Sequence, residues 1–392
     1  MKTNFKGGVD TSNTESALLR PAGFEIDPIS GVKPEQRTSL VQPGLGALSA
    51  FTGTFVGNGF NTIFRPQNTV TPASPLPGGD NVLELNLTQE TLSFSSPLGS
   101  VPNRGSGSQG DIFLNGVPYL QSVVDVTIQT SPVGIHHEPG IWIVVPATEL
   151  PDVGPTVARM ASVPHGVTVL AQGSIQSHIT GVVPTIPPVS INPSGGAPFP
   201  SQTADDATTA RIPQDLTTFL TAGTISAEML IDPNTFIRDH VQSSNVFEFF
   251  QIDISTSAGE PISGGGVDMI SFLQGAPNAT PVVNGNANVL GLTATFWIEK
   301  IQCDLAVPIF KLGDEPLILS PPAGASRQPV PRFIVKPPVA ITAPRQISVW
   351  YHQIQYSQTV NLLFNGITWP HVSVATLVHK DPITPSNVNW TS

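Results

Sequence analysis

The sequence predicts a mainly β protein, a closed antiparallel barrel with a long, partly helical insertion. Three observations lead there. Short β-branched runs alternate in polarity along most of the chain, as half-buried strands do. The 40 prolines and 35 glycines show no collagen-like period and fall between those runs, where turns belong. The last segment reads as a strand, and a barrel needs such a strand to seal against an early one.

The elements follow in order. Residues 1–47 are polar and interrupted by proline, and read as an irregular arm. Residues 48–180 hold the first part of the barrel. A strand at 50–65 carries Gly53, Gly57 and Gly59, and glycine inside a strand marks a bulge, a bend or close backbone approach. In 82–94, Leu83, Leu85 and Leu87 alternate with Glu84 and Asn86. Residues 96–110 read as a loop, and 112–130 as two strands around an Asn115-Gly116 hairpin turn. Further strands are expected at 140–145, 157–163 and 166–174, the last two joined by a turn through Pro164 and His165.

Residues 181–289 read as an insertion packed on the barrel. It opens with a Pro/Gly/Ser-rich stretch to 212. Helical spacing follows at 213–222, 226–230 and 234–241, with Asp232 as N-cap and Pro233 at the first helical position. A strand at 247–255 suits docking on the sheet or covering a barrel mouth. Residues 290–392 supply the remaining barrel strands. Leu292, Ala294, Phe296 and Ile298 alternate with Thr293, Thr295, Trp297 and Glu299. The Pro-rich stretch 305–345 is expected to wrap the surface. Strands at 347–359, 360–364 and 372–379 finish the chain, with Asn365-Gly366 as the last hairpin turn.

Composition excludes several function classes. Apolar residues make up 39% of the chain, enough for a sizeable core, and charged residues only 11%. The net charge of −11 and the lack of any Lys/Arg run argue against nucleic acid as a partner. A single cysteine, Cys303, excludes an internal disulfide, a Cys-rich metal site and covalent heme attachment. No stretch approaches the roughly 20 apolar residues of a membrane helix, and the first residues lack an apolar signal core. A cytoplasmic location is the expectation, with the oligomeric state open.

No phosphate-binding loop, nucleophile elbow or zinc-protease helix is present. The glycines at 53, 57 and 59 lie on a strand and not at a strand–helix turn, so they do not make a nucleotide loop. The carboxylates show no suggestive pairing, which leaves the eight histidines to carry chemistry. His136 and His137 are adjacent on a strand and point to opposite faces; Glu138 is a ready partner for the inward one. His371, Ser373, Ala375 and Leu377 share one face of the last strand, and the small residues beside His371 leave space for a planar ligand. His165 and His379 are expected to be solvated.

Four stretches in this order resemble the nitrobindin family of heme-binding β-barrels. They are Phe51 to Gly59, Ile135 to Trp142, 157–175, and Pro370 to Leu377. The family's usual tryptophan in the first stretch is replaced, and its Tyr-Pro pair is Arg65-Pro66. The resemblance spans about 48–180 and 290–380. It implies a lipocalin- or nitrobindin-like barrel holding non-covalent heme b, with His371 as the iron ligand. Ser373, Ala375, Ile135 and Trp142 would lie around the cofactor, and His136 or His137 on the distal side as the catalytic group. It further implies action on nitric oxide, peroxynitrite or peroxide, as an isomerase or a peroxidase. The residues alone leave two other readings open: a heme-free lipocalin-like carrier of an apolar small molecule, and a structural all-β protein.

Overall fold

The computed structural model describes residues 44–68, 70–71, 81–193, 210–242, 244–257, 259, 262, 264–276, 278–322, 329–386 and 388–390. All but the end of the expected N-terminal arm lies outside them. Ten strands form the barrel wall: β1 (Gly53–Pro66), β2 (Asn81–Phe94), β3 (Ile112–Asp125), β4 (Val133–Val145), β5 (Thr156–Val163), β6 (Val167–Thr180), β7 (Asn245–Ser255), β8 (Asn288–Val307), β9 (Arg345–Phe364) and β10 (Ile367–His379). Each pairs antiparallel with the next, and β10 returns to pair with β1. The wall is therefore a closed antiparallel meander, and no wall strand is left with a bare edge. Eight strands enclose an interior that side chains fill or one small ligand occupies, and ten enclose more.

The glycines of β1 are there for the closure. A Cβ on Gly57 would lie 1.8 Å from the Thr376 carbonyl oxygen of β10. One on Gly59 would meet the Val374 carbonyl oxygen at 2.5 Å and the Glu90 carboxylate at 2.7 Å. The close approach expected of these glycines is met by backbone on one side and by an inward carboxylate on the other.

Several expected elements differ. Asn115-Gly116 is not a turn but lies inside β3, opposite Val144 and Ile143 of β4. A hairpin-favouring pair yields here to continuous pairing with β4, with the Leu98 amide donating to the Gly116 carbonyl on the other side. The stretches 347–359 and 360–364 are one continuous strand, whereas Asn365-Gly366 is a turn, with φ of 52° and 72°. The expected insertion contributes a stave of its own: β7 sits between β6 and β8. The rest of the segment, including α1 (Thr217–Thr221) and α2 (Thr235–Gln242), provides buried residues such as Leu216, Leu230, Ile237 and Val241 to the same core as the wall. Asp232 accepts from the Asn234 amide where α2 begins. From Gly44 onward the described chain is one compact unit, and 181–289 is not a separate domain. The Pro-rich 305–345 stretch does more than wrap: Phe310, Phe333, Val335 and Ile341 close a second small core against Leu305, Val307, Ile347 and Val349.

Inside, one end of the barrel is filled with aromatic rings. Phe51 stacks on Phe94 with centroids 4.5 Å apart and meets Trp142 edge-on, and Trp142 meets Phe296 at 5.0 Å. The 3-10 turn Gly46–Ala50 adds the buried Leu48 at the same end. Beyond these rings the interior is not filled.

Outside, α2 covers a polar patch on β8, β9 and β10. The Gln355 amide donates to the Ile237 carbonyl and to Thr376 Oγ1. Gln353 donates to Glu299 Oε2 at 2.6 Å and contacts His240 of α2 through its Oε1. Glu299 is fully buried, and its other oxygen has no hydrogen-bond partner. Burial pushes its carboxyl up to about 8, against the lowering effect of Gln353. The folded protein thus keeps a proton that the unfolded chain releases near 4.5. Stability falls as pH rises through that window, because the native state binds more protons there. Glu299→Gln should remove this slope. Its Tm is expected to match wild type at pH 5 and to exceed it by several degrees at pH 9, read by thermal melts across that range.

Candidate functional site

The unfilled part of the barrel is a cavity of about 580 Å³. Its wall is the alternating inward set of the strands: Asn61, Ile63 and Arg65 on β1; Glu84, Asn86, Thr88 and Glu90 on β2; Tyr356, Gln358, Val360 and Leu362 on β9; His371 and Ser373 on β10. From β5 and β6 come Arg159, Ala161, Val163, Val167 and Val169. Leu273 of α3 (Ser271–Gln274), with Asn286 and Ala287, closes part of the mouth.

On β4 the expected alternation holds, with one refinement. Val123 of β3 faces His136 while Val124 faces Gly134, so Ile135 is an extra, bulged residue. The bulge lets Ile135 and His136 both line the cavity. His137, offered beside His136 as a catalytic candidate, faces outward and is exposed, near only Ser122 Oγ. Two other expected cavity residues lie deeper. Trp142 is buried in the aromatic layer, and Ala375 is buried opposite Gly59; neither lines the cavity. His371 and Ser373 do line it, as expected.

His165 is exposed at its turn, as expected, while its ring lies along the cavity lining. Its ring lies 6.1 Å from that of His136 at 23° between planes, and burial followed by the His136 charge lowers its pKa. His379, expected to be solvated, is instead only partly exposed; it packs 4.1 Å from the Phe55 ring, and burial brings it down to about 4. The side chain of His178 lies outside the described residues.

His371 is held neutral. Burial, with the charges of His136 and His165 as lesser causes, lowers its imidazole to about 3. The Asn61 amide nitrogen lies 2.6 Å from His371 Nε2 and donates to Ser373 Oγ at 2.7 Å. The amide oxygen of Asn61 is buried with no partner. A neutral imidazole with an amide N–H on Nε2 carries its lone pair there and its proton on Nδ1.

Below the imidazoles lies a polar layer. Glu138 Oε1 accepts from the Tyr119 hydroxyl and from Arg159 through Nη2 and Nε, while Oε2 meets His136 Nε2 at 3.1 Å. Burial alone would raise the Glu138 carboxyl, but the Arg159 guanidinium and the bonds from His136 and Tyr119 outweigh it and hold it near 2. The ionised carboxylate fixes the His136 tautomer: Nε2–H donates to Glu138, and Nδ1 is left as the basic nitrogen. Arg159 also donates to Gln358 Oε1 at 2.6 Å. Across β3, Glu90 accepts from the Tyr356 hydroxyl at 2.7 Å, from Gln121 and from Thr88. Burial raises its carboxyl in spite of these three bonds. The layer therefore pairs an ionised Glu138 with a Glu90 that holds its proton more tightly.

No family model matches this chain, and no curated protein matches it. Among solved structures it is similar to the crystal structure of Rv2717c from M. tuberculosis. The two share 11% identity with a TM-score of 0.32, over 86% of this chain and 96% of that one. Among the described residues no three His, Cys, Asp or Glu side chains converge to hold a bare metal ion, and no helix is long and apolar enough to cross a membrane.

Sequence reasoning missed Asn61, Tyr119, Arg159, Glu90 and Tyr356. Arg159 carried the best unused signal, as an isolated cation within the apolar-rich strand 157–163. Such a residue is buried only with a partner, and Glu138 is that partner. Leaving Arg159 without Glu138 should be costly. Glu138→Ala is expected to lose roughly 3–5 kcal/mol, and a Glu138→Leu/Arg159→Met double variant to recover most of it. Urea denaturation of both variants measures this; losses that simply add would deny the coupling.

Proposed function

We propose that this barrel binds heme b non-covalently, with His371 as the protein ligand to iron and small oxygen or nitrogen species as substrates. The observation that carries the reading is the half-buried, neutral His371 imidazole on the wall of a large, mostly apolar-lined cavity, which two further imidazoles also line. A neutral imidazole is the axial ligand that heme iron takes. The fit is favourable in size, since about 580 Å³ lies within the range of cofactor sites. It is favourable also in chemistry, since one axial ligand suffices and no cage of protein ligands is needed. One adjustment is required: the Asn61 amide must turn from His371 Nε2, where it now donates. Turning would also release its unpartnered, buried oxygen.

Heme would supply a redox-active Lewis acid. The rest belongs to the chain. Val163, Val167, Val169, Leu292 and Val360 exclude water from the cavity wall. His136, oriented through Nε2 by ionised Glu138, can take a substrate proton at Nδ1 and return it to a leaving oxygen. Glu138 and Arg159 touch no substrate in this scheme; they hold His136 in one tautomer.

One observation favours a second reading, a carrier of an apolar organic molecule. Asn61 already occupies the lone pair that iron would take, and together with Ser373 it makes a polar anchor for a ligand headgroup. Titration with hemin separates the two. Wild type is expected to give the Soret spectrum of a histidine-ligated heme. His371→Ala should lose it, with affinity down on the order of 100-fold, and added imidazole should restore it. His136→Ala should keep the spectrum and slow peroxide or peroxynitrite decay by about 10²–10⁴-fold. No spectral change with wild type would reject the heme reading and leave the carrier.

A further inference from the structure

Four polar side chains cross the cavity wall at one depth. Asn86 of β2 pairs with Asn61 of β1, Asn61 with Ser373 of β10, and Ser373 with Gln358 of β9. All four line the cavity. Residues directly opposite on neighbouring antiparallel strands stand side by side on one face, so the four form a continuous polar row. β5 and β6 lie five places round the barrel from β10 and β1. Arg159 apart, they line the cavity with Ala161, Val163, Val167 and Val169. The cavity thus has one polar wall and one apolar wall.

The members of the row differ in what they have free. Asn61 and Ser373 are engaged with each other and with His371. Gln358 is engaged at one end. Its Oε1 accepts from Arg159 Nη1 at 2.6 Å, and this is its only side-chain hydrogen bond among the described residues. A guanidinium has donors and no acceptor, so the contact fixes which end of the amide is oxygen. The oxygen faces Arg159, and the two N–H groups of Nε2 are free on the cavity side. Asn86 makes no side-chain hydrogen bond among the described residues, so nothing fixes which end of its amide faces inward.

No free charge competes with this donor. Arg159 and Arg65 are the only Lys or Arg side chains of the described lining. Arg159 is engaged by Glu138 through Nε and Nη2, and Arg65 by Glu84 at 2.7 Å. An anionic ligand would give up its water and find no unpaired cation. A cationic one would find Glu138 and Glu84 already matched in the same way.

We propose that Gln358 selects the ligand: the cavity takes an uncharged, apolar molecule that carries a carbonyl oxygen, and this oxygen accepts from Gln358 Nε2. A carbonyl offers two lone pairs and no proton, so it satisfies the donor and brings no donor of its own to be matched. A ligand without an acceptor leaves the Gln358 N–H groups desolvated and unpaired, which is the costlier outcome. The body of the molecule then lies along the valines of β5 and β6. The proposal rests on the second reading given above, in which the cavity holds an apolar organic molecule.

The test measures displacement of the neutral dye N-phenyl-1-naphthylamine from the full chain by three molecules of one shape: fluorene, fluorenone and fluorenol. Wild type is expected to bind fluorenone roughly 3- to 10-fold tighter than fluorene, and tighter than fluorenol. Gln358→Glu keeps an oxygen for Arg159 and removes the N–H groups. It should cancel the preference for fluorenone and favour fluorenol, which has a proton to donate. Gln358→Leu should bind fluorene as wild type does, and fluorenone no better than fluorene. Circular dichroism checks the fold of both variants, and the ratio between probes within one variant is insensitive to the folded fraction. Equal binding of fluorene and fluorenone by wild type would overturn the inference and leave the carrier reading standing. A preference for fluorenone that survives Gln358→Glu would do the same, as would a wild-type preference for fluorenol or for fluorene-9-carboxylate. Binding of neither the dye nor any of the probes would overturn both.

Discussion

The antiparallel pairing of β1 with β10 is the constraint on which the rest depends. The other nine wall contacts join strands consecutive in the chain, and this one joins its two ends. It turns an open meander into a barrel, and it also builds the ligand site. Asn61 of β1 lies directly opposite Ser373 of β10 in the register, so the amide reaches both Ser373 and His371 across a sequence separation of 310 residues. Before closure there is no cavity and no buried imidazole. A contact so distant carries a large loop-closure cost and forms late, so the site comes into being with the completed fold.

Closure makes the interior large, and polar residues limit how far it fills. Glu138, Arg159, Tyr119 and Gln358 form one connected group, and Glu90, Tyr356, Gln121 and Thr88 another. β3 runs between the two carboxylate strands and serves both, with Tyr119 toward β4 and Gln121 toward β2. Aromatic rings lie on one side of this layer and the cavity on the other. The Arg159 guanidinium stands 5.7 Å from the Phe296 ring and 6.0 Å from that of Trp142, so it caps the aromatic layer while neutralising Glu138. Buried ion pairs are weak sources of stability but demanding in geometry. Here the pair fixes the tautomer of His136 and the depth of the cavity floor.

Much of this was legible in the sequence, and the failures share a cause. Strand alternation placed His371 and Ser373 on the wall and separated His136 from His137. Glycines 57 and 59 announced the close approach that closure needs. Local signals went wrong where a neighbour outside the window decided the matter. Asn115-Gly116 favours a turn, yet pairing with β4 on one side and the Leu98 amide on the other hold it extended. The strand at 245–255 could have docked anywhere on the sheet, and its role as a stave is set by its pairing with β6 on one side and β8 on the other. His165 is exposed as its Pro-His-Gly turn suggests, but nothing local reveals His136 beside it. Glu90 and Glu138 show no suggestive spacing because their meeting ground, β3, lies between them in the sheet.

The same geometry explains why the register of β1 on β10 tolerates so little change. Side chains alternate with a period of two, so a slip of one residue would turn Val372 and Val374 inward and carry His371 and Ser373 to the outer face. The outer face is itself committed, since Thr376 of β10 already bonds Gln355 beneath α2. Gly57 and Gly59 resist slippage from the other strand. Each is matched to a carbonyl that leaves no room for a Cβ, and a shifted register would bring Val56 or Asn58 to those positions. Closure and the helical cover thus depend on one register, which also keeps the His371 imidazole on the inner face.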